Sequence, residues 1–127
     1  MDLARAILWF LALGFAGFGT AYTCWPAAMA SLTDIALPSA TARVDFMATY
    51  GGFQLGFAVF LGWCAVRGRL IRVGLLAAGW ALLGFASVRS LGILLNSGAI
   101  SPGLYGALAL EVAGTALAFW GSRRAPV

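Results

Sequence analysis

Between Arg5 and Asp34 the chain carries no charged side chain. About 20 consecutive apolar residues suffice to cross a bilayer as a helix, so this stretch dictates a membrane span. Composition extends the conclusion to the whole chain. Of its 127 residues, 62% are apolar and 9% are charged, against roughly 25% charged in a soluble domain. Too few charges remain to cover a water-facing surface. The chain is read as an integral membrane protein, and soluble-enzyme and disordered classes are excluded.

Four spans follow from the pattern, at approximately 6–28, 46–66, 73–95 and 104–121. The first ends near Trp25-Pro26, because proline cannot continue a helix. Arg5 before the apolar run and Ala28-Met29-Ala30 after it resemble a signal peptide. The run exceeds the roughly 7–15 apolar residues of such a signal, so it is read as a retained span. Residues 31–45 mix polar groups with Pro38 and read as a loop, with room for a short helix. Arg67-Gly-Arg69-Leu-Ile-Arg72 forms the second connection, and Asn96-Ser-Gly-Ala-Ile-Ser-Pro-Gly103 has the residues of a tight third one. No linker or composition shift divides the chain. The expected fold is an all-α, four-helix transmembrane bundle in one domain.

Arginine placement sets the expected orientation. There is no lysine; Arg5, Arg67, Arg69, Arg72, Arg123 and Arg124 fall on one side of a four-span chain, and only Arg43 lies in a loop on the other. The positive-inside rule then puts both termini in the cytoplasm of a bacterial inner membrane. These small clusters flank apolar runs and form no broad basic face, which argues against nucleic-acid binding. The absence of histidine removes the commonest metal ligand and neutral-pH acid–base group, so no metal or cofactor is expected. Cys24 and Cys64 fall near opposite ends of their spans, beyond disulfide reach, and read as small packing residues.

Two charges resist this surface assignment. The turn residues at 96–103 cannot continue a lipid-exposed helix, so the apolar stretches beside them belong to spans three and four. Arg89 and Glu111 are thereby forced inside the membrane. Arg89 sits six residues before Leu95 and Glu111 seven residues after Leu104, or about 9 Å and 10 Å below the same surface. Isolated, each would cost several kcal/mol in hydrocarbon. Opposite charges at matched depth on consecutive antiparallel helices are expected to pair. Tyr50 and Gln54 of span two and Tyr22 of span one enter the same half, with Asn96, Asp45 and Arg43 nearer the surface. The other half is almost purely apolar.

A cluster of this kind either pins helices together or binds a ligand. Gly52-x-x-x-Gly56 reads as an internal packing face, and Trp25, Trp63, Tyr105 and Trp120 as interfacial anchors. No nucleophile–base pair, phosphate loop or metal spacing is visible, so no enzymatic activity is expected.

Thr41-Ala-Arg43-Val-Asp45 followed by Tyr50-Gly51-Gly52-Phe-Gln54-Leu-Gly56 resembles the second span of the domain-of-unknown-function family 4345, small bacterial four-span proteins. Val88-Arg89-Ser-Leu-Gly92, Asn96-Ser-Gly98 before Ser101-Pro102, and Leu110-Glu111 extend the resemblance to about four-fifths of the chain. It implies the same fold and polar residues but supplies no substrate. The expected function is non-enzymatic binding, with transport as an extension, of a small amphipathic or lipid-like molecule at the polar cluster. The other reading is an accessory or assembly subunit of a larger membrane complex. Membrane lipid is a partner in either case.

Overall fold

The computed structural model describes residues 2–125 and is all-helical over that range. Helix α1 (Leu3–Cys24) opens on Asp2, whose carboxylate accepts the Arg5 backbone N–H at 2.8 Å. It stops at Cys24 because Pro26 restricts the residue before it. Pro26 instead starts α2 (Pro26–Ser31), at a first-turn position where a missing N–H costs nothing. The first long helix thus ends beside Trp25-Pro26, where the sequence pattern places the end of span one, and residues 26–28 belong to the short α2. Asp34, with φ of 56°, turns the chain out of α2.

The next helix begins earlier than the sequence pattern indicates. Helix α3 (Ala40–Phe46) is capped by Ser39, whose hydroxyl accepts the Ala42 N–H at 3.1 Å. It runs through a π segment (Met47–Gly52) into α4 (Phe53–Val66), one continuous 27-residue helix. Hydropathy alone places this start at residue 46, since Thr41, Arg43 and Asp45 are polar. They form the exposed first turns, so the residues assigned to a loop are partly helical. A 3₁₀ turn (Gly68–Leu70) leads to α5 (Ile71–Leu95), and Pro102 starts α6 (Pro102–Ser122). Four helical stretches of 21 to 28 residues are long and apolar enough to cross a membrane.

Helix α1 is the central element, packed on α4 and on the α5–α6 hairpin. Leu8, Leu61, Ile71 and Leu75 are fully buried in the core, which lies toward the end that carries Arg5, the 3₁₀ turn and the tail. Outward faces are apolar: Val59 is 73% and Leu94 82% exposed. Such surfaces suit lipid rather than water. Trp25, Trp63, Tyr105 and Trp120 all stand exposed near helix ends.

Two expectations are corrected. Gly52 and Gly56 face outward, with nothing within 4 Å of an added Cβ, so they are not the internal packing face. That role falls to Gly19 and Gly51. A Cβ on Gly19 would lie 2.9 Å from the Leu55 backbone N, and one on Gly51 would lie 3.2 Å from the Gly19 carbonyl oxygen. Cys24 is exposed rather than packed, whereas Cys64 is buried, its Cβ 2.9 Å from the place a Gly74 Cβ would occupy. Both thiols are free. Oxidation should therefore give no intrachain bridge on non-reducing electrophoresis; a fast-migrating oxidised monomer would contradict the arrangement of α1 and α4.

Candidate functional site

The centre is built on the α5–α6 hairpin, the most extensive packing contact in the fold. Small residues permit that closeness. A Cβ on Gly114 would lie 2.7 Å from Leu82 Cδ1, and one on Gly79 would lie 3.0 Å from the Phe119 ring. The hairpin brings Arg89 and Glu111 into register at the depth both sequence distances indicate. Arg89 Nε donates to Glu111 Oε2 at 2.9 Å and Oε1 at 3.1 Å, while Nη2 donates to Oε1 at 2.7 Å. The guanidinium fork matches the carboxylate with charge-assisted bonds to both oxygens. This is the one ion pair among the described residues. The Glu111 backbone carbonyl also accepts the Thr115 hydroxyl at 2.7 Å.

The partners are unequally covered. Glu111 is buried, its side chain 11% exposed, whereas 24% of the Arg89 side chain remains accessible. Arg89 closes one end of an apolar groove of about 590 Å³ along α5, lined also by Trp80, Ala81, Gly84, Phe85 and Val88. Trp80, Phe85 and Val88 on this face of α5 are exposed, so the groove is open to the outside of the bundle. Three of the five guanidinium N–H groups are not spent on Glu111, namely both on Nη1 and one on Nη2.

Tyr22, near the end of α1, and Tyr50, in the π segment, come together where α1 packs on that segment. Their rings lie 5.5 Å apart, and Phe46 stacks on Tyr50 at 4.7 Å and meets Tyr22 edge-on at 5.6 Å. This aromatic trio depends on the π segment. The extra residue in its turn lets the Phe53 N–H reach the Ala48 carbonyl and places Gly51 against α1, where its missing side chain admits Thr23. Single π turns within α-helices recur at functional sites.

Other expected members of the cluster stay apart. Asn96 is exposed and donates to the Gly92 carbonyl of its own helix at 2.8 Å, a helix-end bond rather than a site contact. Arg43 and Asp45 are exposed on α3, on the first turns that hydropathy left out of the helix. Gln54 is half-buried, but among the described residues the Glu111 carboxylate accepts from Arg89 alone. The sequence reading missed Phe46 and the groove beside Arg89. Phe46 was detectable as an aromatic four residues before Tyr50 on a helix face. The groove, made by Ala81 and Gly84 between bulkier neighbours, has no comparable sequence signal.

Fold and centre together define a four-span helical membrane protein with a bidentate arginine–glutamate pair between its third and fourth spans. Residues 3–122 match the family described as a domain of unknown function (DUF4345), and the chain belongs to that family. The resemblance drawn from the second-span, third-span and Leu110-Glu111 motifs is thereby confirmed over nearly the whole chain. Comparison with curated proteins and with solved structures gave no match.

Proposed function

We propose that the protein is a non-enzymatic binder of a small amphipathic or lipid-like molecule, with transport as an extension of that role. The observation that supports this reading is the exposed part of Arg89 at the end of an apolar groove. A residue that served only to clamp helices would be best buried on all sides. Here the unspent N–H groups of Arg89 offer donors to a polar head, and Trp80, Phe85 and Val88 offer a wall to an apolar tail. Glu111 balances the charge, so the head need not be anionic.

Filling the groove tests this reading. An added Cβ at Gly84 meets nothing within 4 Å, so Gly84→Leu should fold and be no less stable than the wild type. Native mass spectrometry after mild non-ionic solubilisation should show an adduct on the wild type that the variant has lost. A wild type without an adduct, or an adduct that Gly84→Leu leaves in place, contradicts the proposal.

One observation favours the second reading, an accessory or assembly subunit. Gly52 and Gly56 present an open stripe on the outer side of the continuous Ala40–Val66 helix, where another helix could approach closely. A co-purifying membrane protein lost on Gly52→Leu would support that role.

Both readings place the chain in a bacterial inner membrane with both termini cytoplasmic, on the strength of the arginine asymmetry. Reporter fusions at Arg72 and after Val127 should score cytoplasmic and one at Ser39 periplasmic. A periplasmic C-terminal reporter would contradict this orientation.

A further inference from the structure

The arginine-rich end of the bundle holds a cationic group that is in no ion pair among the described residues. Arg5 projects from the first turn of α1 onto the 3₁₀ turn, its Nη2 2.9 Å from the place a Gly68 Cβ would occupy. Its Nε is buried with no acceptor among the described residues. Asp2 is the one acid near this end, and its carboxylate is engaged by the Arg5 backbone N–H. Among the described residues Arg5 is in no ion pair, and its Nε has no acceptor. An N–H buried without an acceptor carries an uncompensated desolvation cost, which a shift of the guanidinium toward an incoming anion would relieve.

The surroundings indicate what supplies it. Arg67 and Arg124 flank the same end, each over an exposed tryptophan: Arg67 lies 5.9 Å from the Trp63 ring and Arg124 4.4 Å from the Trp120 ring. Tryptophan anchors sit at headgroup level, and stacking holds each guanidinium there rather than in water. Arg69, Arg72 and Arg123 add charge, and none of these arginines is in an ion pair among the described residues. Beyond the tryptophans the helix faces are apolar, as acyl chains require. We propose that this end binds the phosphate of an anionic phospholipid, with Arg5 as the central donor and Arg67 and Arg124 at its sides. The site lies at the opposite end of the bundle from the Arg89 groove and does not depend on it.

The test uses the full-length protein in a neutral detergent, titrated with phosphatidylglycerol or phosphatidylcholine and followed by native mass spectrometry. The wild type should retain phosphatidylglycerol about tenfold better than phosphatidylcholine. Arg5→Gln and Arg124→Gln should each cut that preference about fivefold. Arg43→Gln, at the other end, should leave it unchanged. Should Arg5→Gln fail to fold, Arg5→Lys keeps the charge without the fork and should weaken retention less, while Arg124→Gln still carries the comparison. Equal retention of the two lipids overturns the proposal, as does wild-type preference in both glutamine variants. Displacement of phosphatidylglycerol by millimolar inorganic phosphate also overturns it, because the site would then take a free anion rather than a lipid.

Discussion

Arg89→Ala and Glu111→Ala should each lower the stability of the folded bundle by about 3–5 kcal/mol, the cost of leaving a buried charge without its partner. The expectation follows from geometry. Arg89 reaches both carboxylate oxygens, and no other carboxylate among the described residues is in an ion pair with it. Removing Glu111 leaves a part-buried guanidinium on α5 without its carboxylate. Removing Arg89 strands a carboxylate on a buried position of α6. The Arg89→Leu/Glu111→Leu double variant should recover most of the loss, since hydrophobic replacement of both members of a buried pair is often neutral. Thermal unfolding monitored by intrinsic fluorescence in detergent would measure the cycle. Additive losses in the double variant would show that the two charges act independently.

The second large effect separates two neighbouring glycines. Gly51→Ala should destabilise by about 1–3 kcal/mol, a typical penalty for overpacking. The new methyl would meet the Thr23 hydroxyl, and the Gly19 carbonyl oxygen and Thr23 backbone N would each lie 3.2 Å away. Rotating a side chain cannot relieve contacts with backbone. Gly52→Ala meets nothing within 4 Å and removes a flexible residue from a helix, so it should be neutral or stabilising by up to about 1 kcal/mol. Paired unfolding measurements would check this. Equal sensitivity at both positions would mean that the π segment does not set the facing of this helix.

That contrast also shows where the sequence stopped being informative. The four spans were legible because charge-free runs have few other uses. Arg89 and Glu111 were legible because two charges with no exit from the membrane must meet, and counting residues from the turn fixed their depth. Facing was another matter. Assigning Gly52 and Gly56 to the interior assumes an uninterrupted 3.6-residue period, and the widened turn at Met47–Gly52 shifts the register by one residue. Gly51 then takes the inner position. The start of α3 at Ala40 was hidden for a similar reason. Hydropathy finds where a helix enters hydrocarbon, whereas Ser39 capping sets where it begins. Arg43, Asp45 and Asn96 looked like members of the centre because they share its half of the chain. Their exposure follows from azimuth and helix-end position, which depth alone does not fix.

The Arg89 groove and the Arg5 end pose different questions of the same bundle. One pairs a neutralised arginine with an apolar wall; the other sets cations that are in no ion pair among the described residues beside interfacial tryptophans. A head that needs donors but no net charge suits the first, and a phosphate suits the second.

The central claim is that the Arg89–Glu111 pair forms a binding centre as well as a clamp between α5 and α6. Native mass spectrometry of the wild type beside the Arg89→Leu/Glu111→Leu variant, both solubilised in the same non-ionic detergent, tests it most directly. The variant should remain folded, with a melting temperature near that of the wild type, and should have lost the wild type's adduct. A folded variant that keeps the same adduct in the same proportion would contradict the claim and reduce the pair to a helix clamp.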